Sequence, residues 1–124
     1  MNIKIRAYDK KNKCFVKDLH NIRVRKNGEI YSQNKDIEFN LFTGLFDKNE
    51  IPVYENDILM ADSGNLYIVI NELNTSGQFN LERIDDVVIA KYIPFHHYNI
   101  ISKKVIGNIY EDKIMLLIRK HPLT

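Results

Sequence analysis

Short stretches in which apolar and polar residues alternate, separated by turn signals roughly every 8 to 14 residues, constrain this chain more than any other feature. Residues 3–8 have the period of two that a half-buried strand requires. Asn27-Gly28 is the strongest short hairpin signal, because both residues tolerate the positive φ of a type I′ turn. Turns at 62–65 and 75–77 then divide a meander of three strands.

No segment carries a helical apolar stripe over three turns, so the pattern favours an all-β sandwich or barrel over an α/β fold. Short helices remain candidates in the C-terminal third, from Asp85 to Tyr92 and from Asp112 to Arg119. The β-branched residues 87–89 favour a strand for the first of these, so that segment stays open between helix and strand.

The chain has 124 residues, which suits one domain that buries roughly two-thirds of its unfolded surface. Its single cysteine, Cys14, excludes an internal disulfide, favours a reducing compartment and is expected to be a small core residue. The N-terminus lacks the apolar stretch of a signal peptide, and the longest apolar run, Ile114 to Ile118, falls short of the roughly 18 residues that span a bilayer. We therefore expect a cytoplasmic protein without a membrane segment.

Charge is unevenly distributed along the chain. Residues 1–30 hold nine Lys or Arg against three Asp or Glu, residues 31–90 hold three against eleven, and residues 91–124 hold six against two. Either the basic ends pack beside the acidic middle as solvated faces, or a basic face contacts phosphate. The candidate nucleic-acid contacts, with Tyr8 and Tyr31 for stacking, are Lys4, Arg6, Lys10, Lys11, Lys13, Arg23, Arg25 and Lys26.

No catalytic, metal or cofactor site is predicted. Neither Cys14 nor the few serines lie in a local nucleophile signature, and no glycine-rich phosphate loop is present. The adjacent His96 and His97 would point to opposite faces of a strand, so they would not share a metal there. Glu111 and Lys113 formally match the Glu-x-Lys element of a metal-dependent nuclease, a spacing that chance also explains, and that enzyme is kept as an alternative.

Four segments carry recognisable motifs, namely residues 5–10, residues 42–49, residues 53–59 and residues 105–111. In sequence and in order they resemble the YopX family of phage and prophage proteins. The resemblance implies an SH3-like β-barrel over residues 39–110, additional N-terminal strands in 1–38 and a C-terminal tail over 111–124, all in one domain. It implies expression inside a bacterial host and no activity.

Structural roles are expected for the motif residues, since glycines and turn formers usually recur for backbone reasons. These residues are Thr43, Gly44, Leu45, Tyr54, Glu55, Asp57, Gly107, Asn108 and Tyr110. The chain departs from the family pattern at Glu50 and Asn56, which stand where glycines are common. Asn56 is expected to keep its turn, whereas Glu50 predicts a different turn type for residues 47–52.

The preferred hypothesis is a non-enzymatic module that binds a host or phage macromolecule. Nucleic acid, another protein and a second copy of the chain are the candidate partners. The sequence does not distinguish this hypothesis from an accessory scaffold that binds no ligand. The nuclease that uses Glu111 and Lys113 is the remaining alternative.

Overall fold

A computed structural model describes residues 5–17, 22–24, 26, 30–32, 34–84, 92–94 and 97–111. The strands and the helix of these residues, in chain order, are β1 (Ile5–Asp9), β2 (Cys14–Phe15), β3 (Ile22–Val24), β4 (Ile30–Ser32), β5 (Ile37–Phe46), β6 (Pro52–Tyr54), β7 (Asp57–Ala61), β8 (Leu66–Glu72), β9 (Gln78–Arg83), β10 (Tyr92–Pro94), α1 (His97–Ile101) and β11 (Lys103–Asn108). The chain forms two compact units, Met1–Leu41 and Phe42–Thr124, and passes from one to the other within β5.

The prediction of a mainly β fold with a short helix in the C-terminal third is confirmed, and the antiparallel sheets are consistent with a small barrel-like fold. The helix, α1, spans His97–Ile101, and no helix was predicted for these residues. Of the two segments proposed as helices, 85–92 and 112–119, residues 85–91 and 112–119 lie outside the described residues, and Tyr92 belongs to a strand. Within the described part of the chain, no helix is long and apolar enough to cross a membrane. The SH3-like relation and the single-domain boundaries stay predictions.

The first unit is built around β1, which lies between β2 and the first half of β5. All of these pairings are antiparallel, from Ile5 opposite Leu41 to Tyr8 opposite Phe15. The rings of Tyr8 and Phe15 meet edge to face at 5.1 Å, and Ala7 and Tyr8 are both buried. Strands β3 and β4 pair antiparallel, as the Asn27-Gly28 signal predicts, although residues 27–29 lie outside the described residues.

Cys14 is exposed, so the prediction that it is a core residue is wrong. It lies in a two-residue strand next to Phe15, whose ring packs on Tyr8. Neighbouring side chains of a strand point to opposite faces, which turns Cys14 away from that contact.

The second unit contains a five-stranded antiparallel sheet in the order β10, β9, β8, β7, β11. Its central three strands are the predicted meander, closed by glycines in the left-handed region, Gly64 at φ 90° and Gly77 at φ 78°. The second half of β5 pairs with β6, with a register shift between Phe42 and Phe46 that surrounds Gly44 at φ 87°. A second shift, between Val105 and Gly107, interrupts β11.

Apolar clusters occupy both faces of this sheet. Successive residues of one strand join different clusters, as Ile58 and Leu59 do in β7 and Ile68 and Val69 do in β8. One cluster consists of Val53, Leu59, Tyr67, Val69, Leu81 and Ile100, and the other of Ile58, Ile68 and Ile84. The central strands of this sheet therefore bury apolar side chains on both faces.

Candidate functional site

The turn between β1 and β2 holds three of the predicted cations and is organised by Asp9. The Oδ1 atom of Asp9 accepts hydrogen bonds from the backbone N–H groups of Lys11 (3.0 Å) and Asn12 (3.1 Å). Its Oδ2 atom accepts one from the side-chain amide of Asn12 at 2.8 Å. The backbone N–H of Asn12 is the main cause that lowers the pKa of Asp9, and burial opposes it. Asp9 is therefore ionised at neutral pH and engaged with the turn.

We call residues 10–13 the basic turn. Lys10, Lys11 and Lys13 are exposed, and Lys13 has a φ of 56°, in the left-handed region. The backbone N–H of Lys10 donates to the carbonyl of Asp36 at 2.9 Å, which brings the turn that carries the exposed Lys35 alongside. Lys35 was missed because it belongs to the acidic middle of the sequence, and only the pairing of β1 with β5 reveals its position.

Of the other predicted nucleic-acid contacts, Arg6 is engaged with neighbouring side chains of the first unit. Arg6 is half-buried, donates from Nε to Asn40 Oδ1 at 2.9 Å and stacks its guanidinium 4.9 Å from the Phe15 ring centroid. Arg23 lies in β3 opposite Tyr31, and Lys26 is exposed. Lys4 and Arg25 lie outside the described residues.

In the second unit, the buried side chain of Asp47 organises the loop that joins β5 to β6. Its Oδ1 atom accepts the backbone N–H groups of Asn49 and Ile51, both at 2.8 Å, and its Oδ2 atom accepts that of Val105, also at 2.8 Å. The backbone N–H of Lys48 donates to the carbonyl of Lys103 at 3.0 Å. Among the described strands β11 is at the edge of its sheet, and the loop binds backbone groups that such an edge would otherwise offer to another chain.

The turn from Tyr54 to Asp57 is held in a similar way. Asp57 is 1% exposed, and its Oδ2 atom accepts the backbone N–H of Tyr54 at 2.8 Å. Asn56, at φ 70°, accepts the N–H of Ile109 on its carbonyl and donates its own N–H to Val69. Asp47 and Asp57 therefore both accept hydrogen bonds from backbone N–H groups.

These motifs belong together in a known family. The model of the YopX protein family matches residues 1–116. The chain belongs to the YopX family. Among curated proteins, no match to the chain was found.

The crystal structure of protein EF1440 from Enterococcus faecalis is similar to this YopX protein. The two chains share 23% sequence identity, the match covers 94% of this chain and 99% of that chain, and the TM-score is 0.64. At this identity the likeness supports the fold and carries no activity across.

Both positions where glycines are common in the family have a positive φ in this chain. Asn56 has a φ of 70°, as expected, and Glu50 has a φ of 63°. Glu50 therefore adopts the left-handed conformation that a glycine takes readily, and the expected change of turn type is not needed at this position. For a residue with a Cβ atom this conformation costs about 1 to 2 kcal/mol.

Replacement of Glu50 by glycine is expected to raise the free energy of unfolding by about 0.5 to 1 kcal/mol, because the relief of strain exceeds the entropy that glycine adds to the unfolded chain. Urea denaturation followed by circular dichroism measures this change. Lys48→Gly is the matched control, because Lys48 is exposed in the same loop and is not among the positive-φ residues. Lys48→Gly should lower the free energy of unfolding. Equal changes in the free energy of unfolding for Lys48→Gly and Glu50→Gly would contradict the strain assigned to Glu50.

The nuclease alternative gains no support from the described residues. Glu111 accepts a hydrogen bond from Asn108 Nδ2 at 2.8 Å, and Asn108 Oδ1 caps the N–H groups of Tyr110 and Glu111. Lys113 lies outside the described residues, as does His96, whereas His97 begins α1. Across the part of the chain that the structure describes, no group of three or more His, Cys, Asp or Glu side chains could hold a metal ion.

Proposed function

We propose that this YopX-family protein is a non-enzymatic binding module, encoded by a phage or prophage, that acts in the cytoplasm of the bacterial host and contacts nucleic acid through the basic turn. One observation carries the proposal. Lys10, Lys11 and Lys13 are exposed on a single four-residue turn, while Asp9, the carboxylate that precedes the turn, is held by backbone and side-chain amides. The phage origin rests on the resemblance given above, and the compartment rests on the single cysteine.

The chemistry of lysine fits contact with a phosphate backbone. A lysine ammonium group is a compact charge on a flexible stem, and it contacts phosphate without the two-point geometry that arginine uses to read a base edge. The binding should therefore depend weakly on sequence and strongly on salt, since each neutralised phosphate releases counterions. Lys35 is exposed on the neighbouring turn, which the backbone hydrogen bond from Lys10 to Asp36 joins to the basic turn.

The proposal predicts that the triple variant Lys10→Gln/Lys11→Gln/Lys13→Gln loses most of its affinity for nucleic acid. We expect the dissociation constant at low salt to rise on the order of 10 to 100-fold, and the slope of log K against log salt to fall by about 2 to 3. Fluorescence anisotropy with labelled single-stranded and double-stranded DNA and RNA, at four or more salt concentrations, measures both quantities.

A charge-matched control separates a specific surface from the effect of net charge. Lys48→Gln/Asn49→Glu/Asn74→Glu lowers the net charge by the same amount at exposed positions of the second unit. It should bind almost as the unchanged protein does. Absence of binding by the unchanged protein at low salt, or equal losses in the two triple variants, would contradict the proposal.

A further inference from the structure

The first unit is the basic part of the chain. Residues 1–41 hold ten Lys or Arg against five Asp or Glu, whereas residues 42–124 hold eight against eleven. The division into two compact units therefore also separates net positive from net negative charge. A polyanion is attracted to the first unit and repelled by the net charge of the second.

The basic turn concentrates part of this charge on a fixed backbone. Its three lysines lie within four consecutive residues, which span at most about 14 Å even when fully extended. The hydrogen bonds to Asp9 and the bond from Lys10 to the carbonyl of Asp36 hold the backbone of this turn. The lysine stems are flexible, but the backbone from which they start is ordered before a partner binds.

Three cations on one short turn meet more phosphate on a double helix than on a single strand. A duplex carries one negative charge per about 1.7 Å of its axis, roughly twice the density of either of its strands. A duplex is also ordered before it binds, whereas a single strand loses conformational freedom when a protein surface holds it. Charge density and order therefore both favour a duplex as the ligand of the basic turn.

Proteins that bind single strands combine positive charge with aromatic side chains on which successive bases stack. Residues 1–41 contain four Phe or Tyr and no Trp, and all four belong to the described residues. Tyr8 is only 6% exposed, and Phe15, Tyr31 and Phe39 are half-buried. None of the four is an exposed ring, so the first unit presents cations without a stacking surface.

The two rings that flank the basic turn along the chain are engaged within the first unit. Tyr8 and Phe15 meet edge to face at 5.1 Å, and the guanidinium of Arg6 lies 4.9 Å from the centroid of the Phe15 ring. Tyr8, which the sequence predicted to stack on bases, is buried and is not available for that role. A single strand would therefore gain charge contacts at the basic turn but no stacking.

We propose that the basic turn binds the phosphate backbone of a double helix in preference to a single strand. This inference rests on the proposed function and adds to it the class of nucleic acid. Duplex DNA and duplex RNA both present a dense array of phosphates to lysine, so either can be the ligand.

Fluorescence anisotropy with ligands matched in phosphate number tests the preference. One ligand is a labelled mixed-sequence DNA duplex of about 20 base pairs, or two helical turns, and the other is a thymidine single strand of twice that length. At low salt the duplex should bind at least about 10-fold more tightly, and its affinity should fall more steeply with salt. The same comparison with an RNA duplex and a uridine strand shows which double helix is bound.

Substitutions assign the preference to the basic turn. In Lys10→Gln/Lys11→Gln/Lys13→Gln, the ratio of the single-strand to the duplex dissociation constant should fall to about 3 or less, because duplex binding loses more charge contacts. The charge-matched variant Lys48→Gln/Asn49→Glu/Asn74→Glu should keep the ratio of the unchanged protein. Circular dichroism spectra identical to that of the unchanged protein show that both variants are folded.

The outcomes separate this inference from the proposed function. No binding of any ligand at low salt would contradict the proposed function, and the inference would fail with it. Single strands bound as tightly as the duplexes, in both DNA and RNA, would overturn the inference and leave the proposed function standing. A duplex preference that both triple variants keep would also overturn it, because the preference would then arise outside the basic turn.

Discussion

Replacement of Asp47 by alanine is expected to lower the free energy of unfolding by about 3 to 5 kcal/mol. The carboxylate is 4% exposed and accepts three backbone N–H groups, from Asn49, Ile51 and Val105. Hydrogen bonds to a charged group contribute about 1.5 to 3 kcal/mol each, and partners left unsatisfied in a buried position add a desolvation cost. Some water will enter the emptied site, so the loss should stay below the sum of three such bonds.

Urea denaturation gives the global effect, and amide hydrogen exchange gives a local one. The N–H of Val105 should exchange faster in Asp47→Ala, because its acceptor is gone. The free energy of unfolding of Asp47→Asn should lie between those of the unchanged protein and Asp47→Ala. The amide keeps one acceptor oxygen but turns an N–H group toward a donor. Asp62→Ala is the matched control.

The control removes an aspartate whose side chain is 81% exposed. The pKa of Asp62 is lowered mainly by the hydrogen bond from Lys48, so that contact stabilises the fold above the ordinary pKa of an aspartate and the contribution is lost as the pH falls through the lowered value. At neutral pH solvent screens the pair, and little change in the unfolding midpoint is expected. A loss in Asp62→Ala as large as that in Asp47→Ala would contradict the role assigned to Asp47.

The role of Asp47 illustrates what the sequence does not contain. Its signature segment marks a turn, and the turn is present, but the contact that anchors the loop joins residues 58 positions apart in the chain. Local turn chemistry cannot specify which amide a carboxylate meets after folding. The same limit applies to Lys35, which only the register of β1 with β5 brings to the basic turn.

Features determined by local chemistry were predictable. The Asn27-Gly28 pair predicts the pairing of β3 with β4, and Gly64 and Gly77 mark turns in which a positive φ is required. Gly44 and Gly107 stand at the two register shifts, as expected of residues suited to bulges. In each case one residue type satisfies one backbone requirement.

Features that depend on short segments or on alternation through a bulge were not predictable. The five residues of α1 are too few to show a helical period. Phe42 and Phe46 were read only as part of a family signature, because apolar residues stand at both odd and even positions of β5 and the sequence alone does not separate these two from Leu45, which packs against the core. Burial of both faces of β7 and β8 likewise removes the alternation that distinguishes core from surface.

A second large effect is expected in the core of the second unit. Leu81→Ala should lower the free energy of unfolding by about 2 to 5 kcal/mol, because the side chain is fully buried and its removal leaves a cavity as well as lost apolar burial. Leu81 lies opposite Val69 in the strand pairing and shares a cluster with Leu59. Denaturation in urea measures the change, with the m-value compared to detect any loss of two-state behaviour.

Two further leucine substitutions decide whether burial is the cause. Leu73→Ala, in the turn between β8 and β9, removes the same atoms from a side chain that is 41% exposed, and its effect should stay within about 0.5 kcal/mol. Leu81→Met nearly conserves volume and should cost less than about 1.5 kcal/mol. If Leu73→Ala destabilised the protein as much as Leu81→Ala, the loss would follow the residue type, and the assignment of Leu81 to the core would fail. The expected contrast would instead show that the stability of the second unit depends on the buried cluster that contains Leu81.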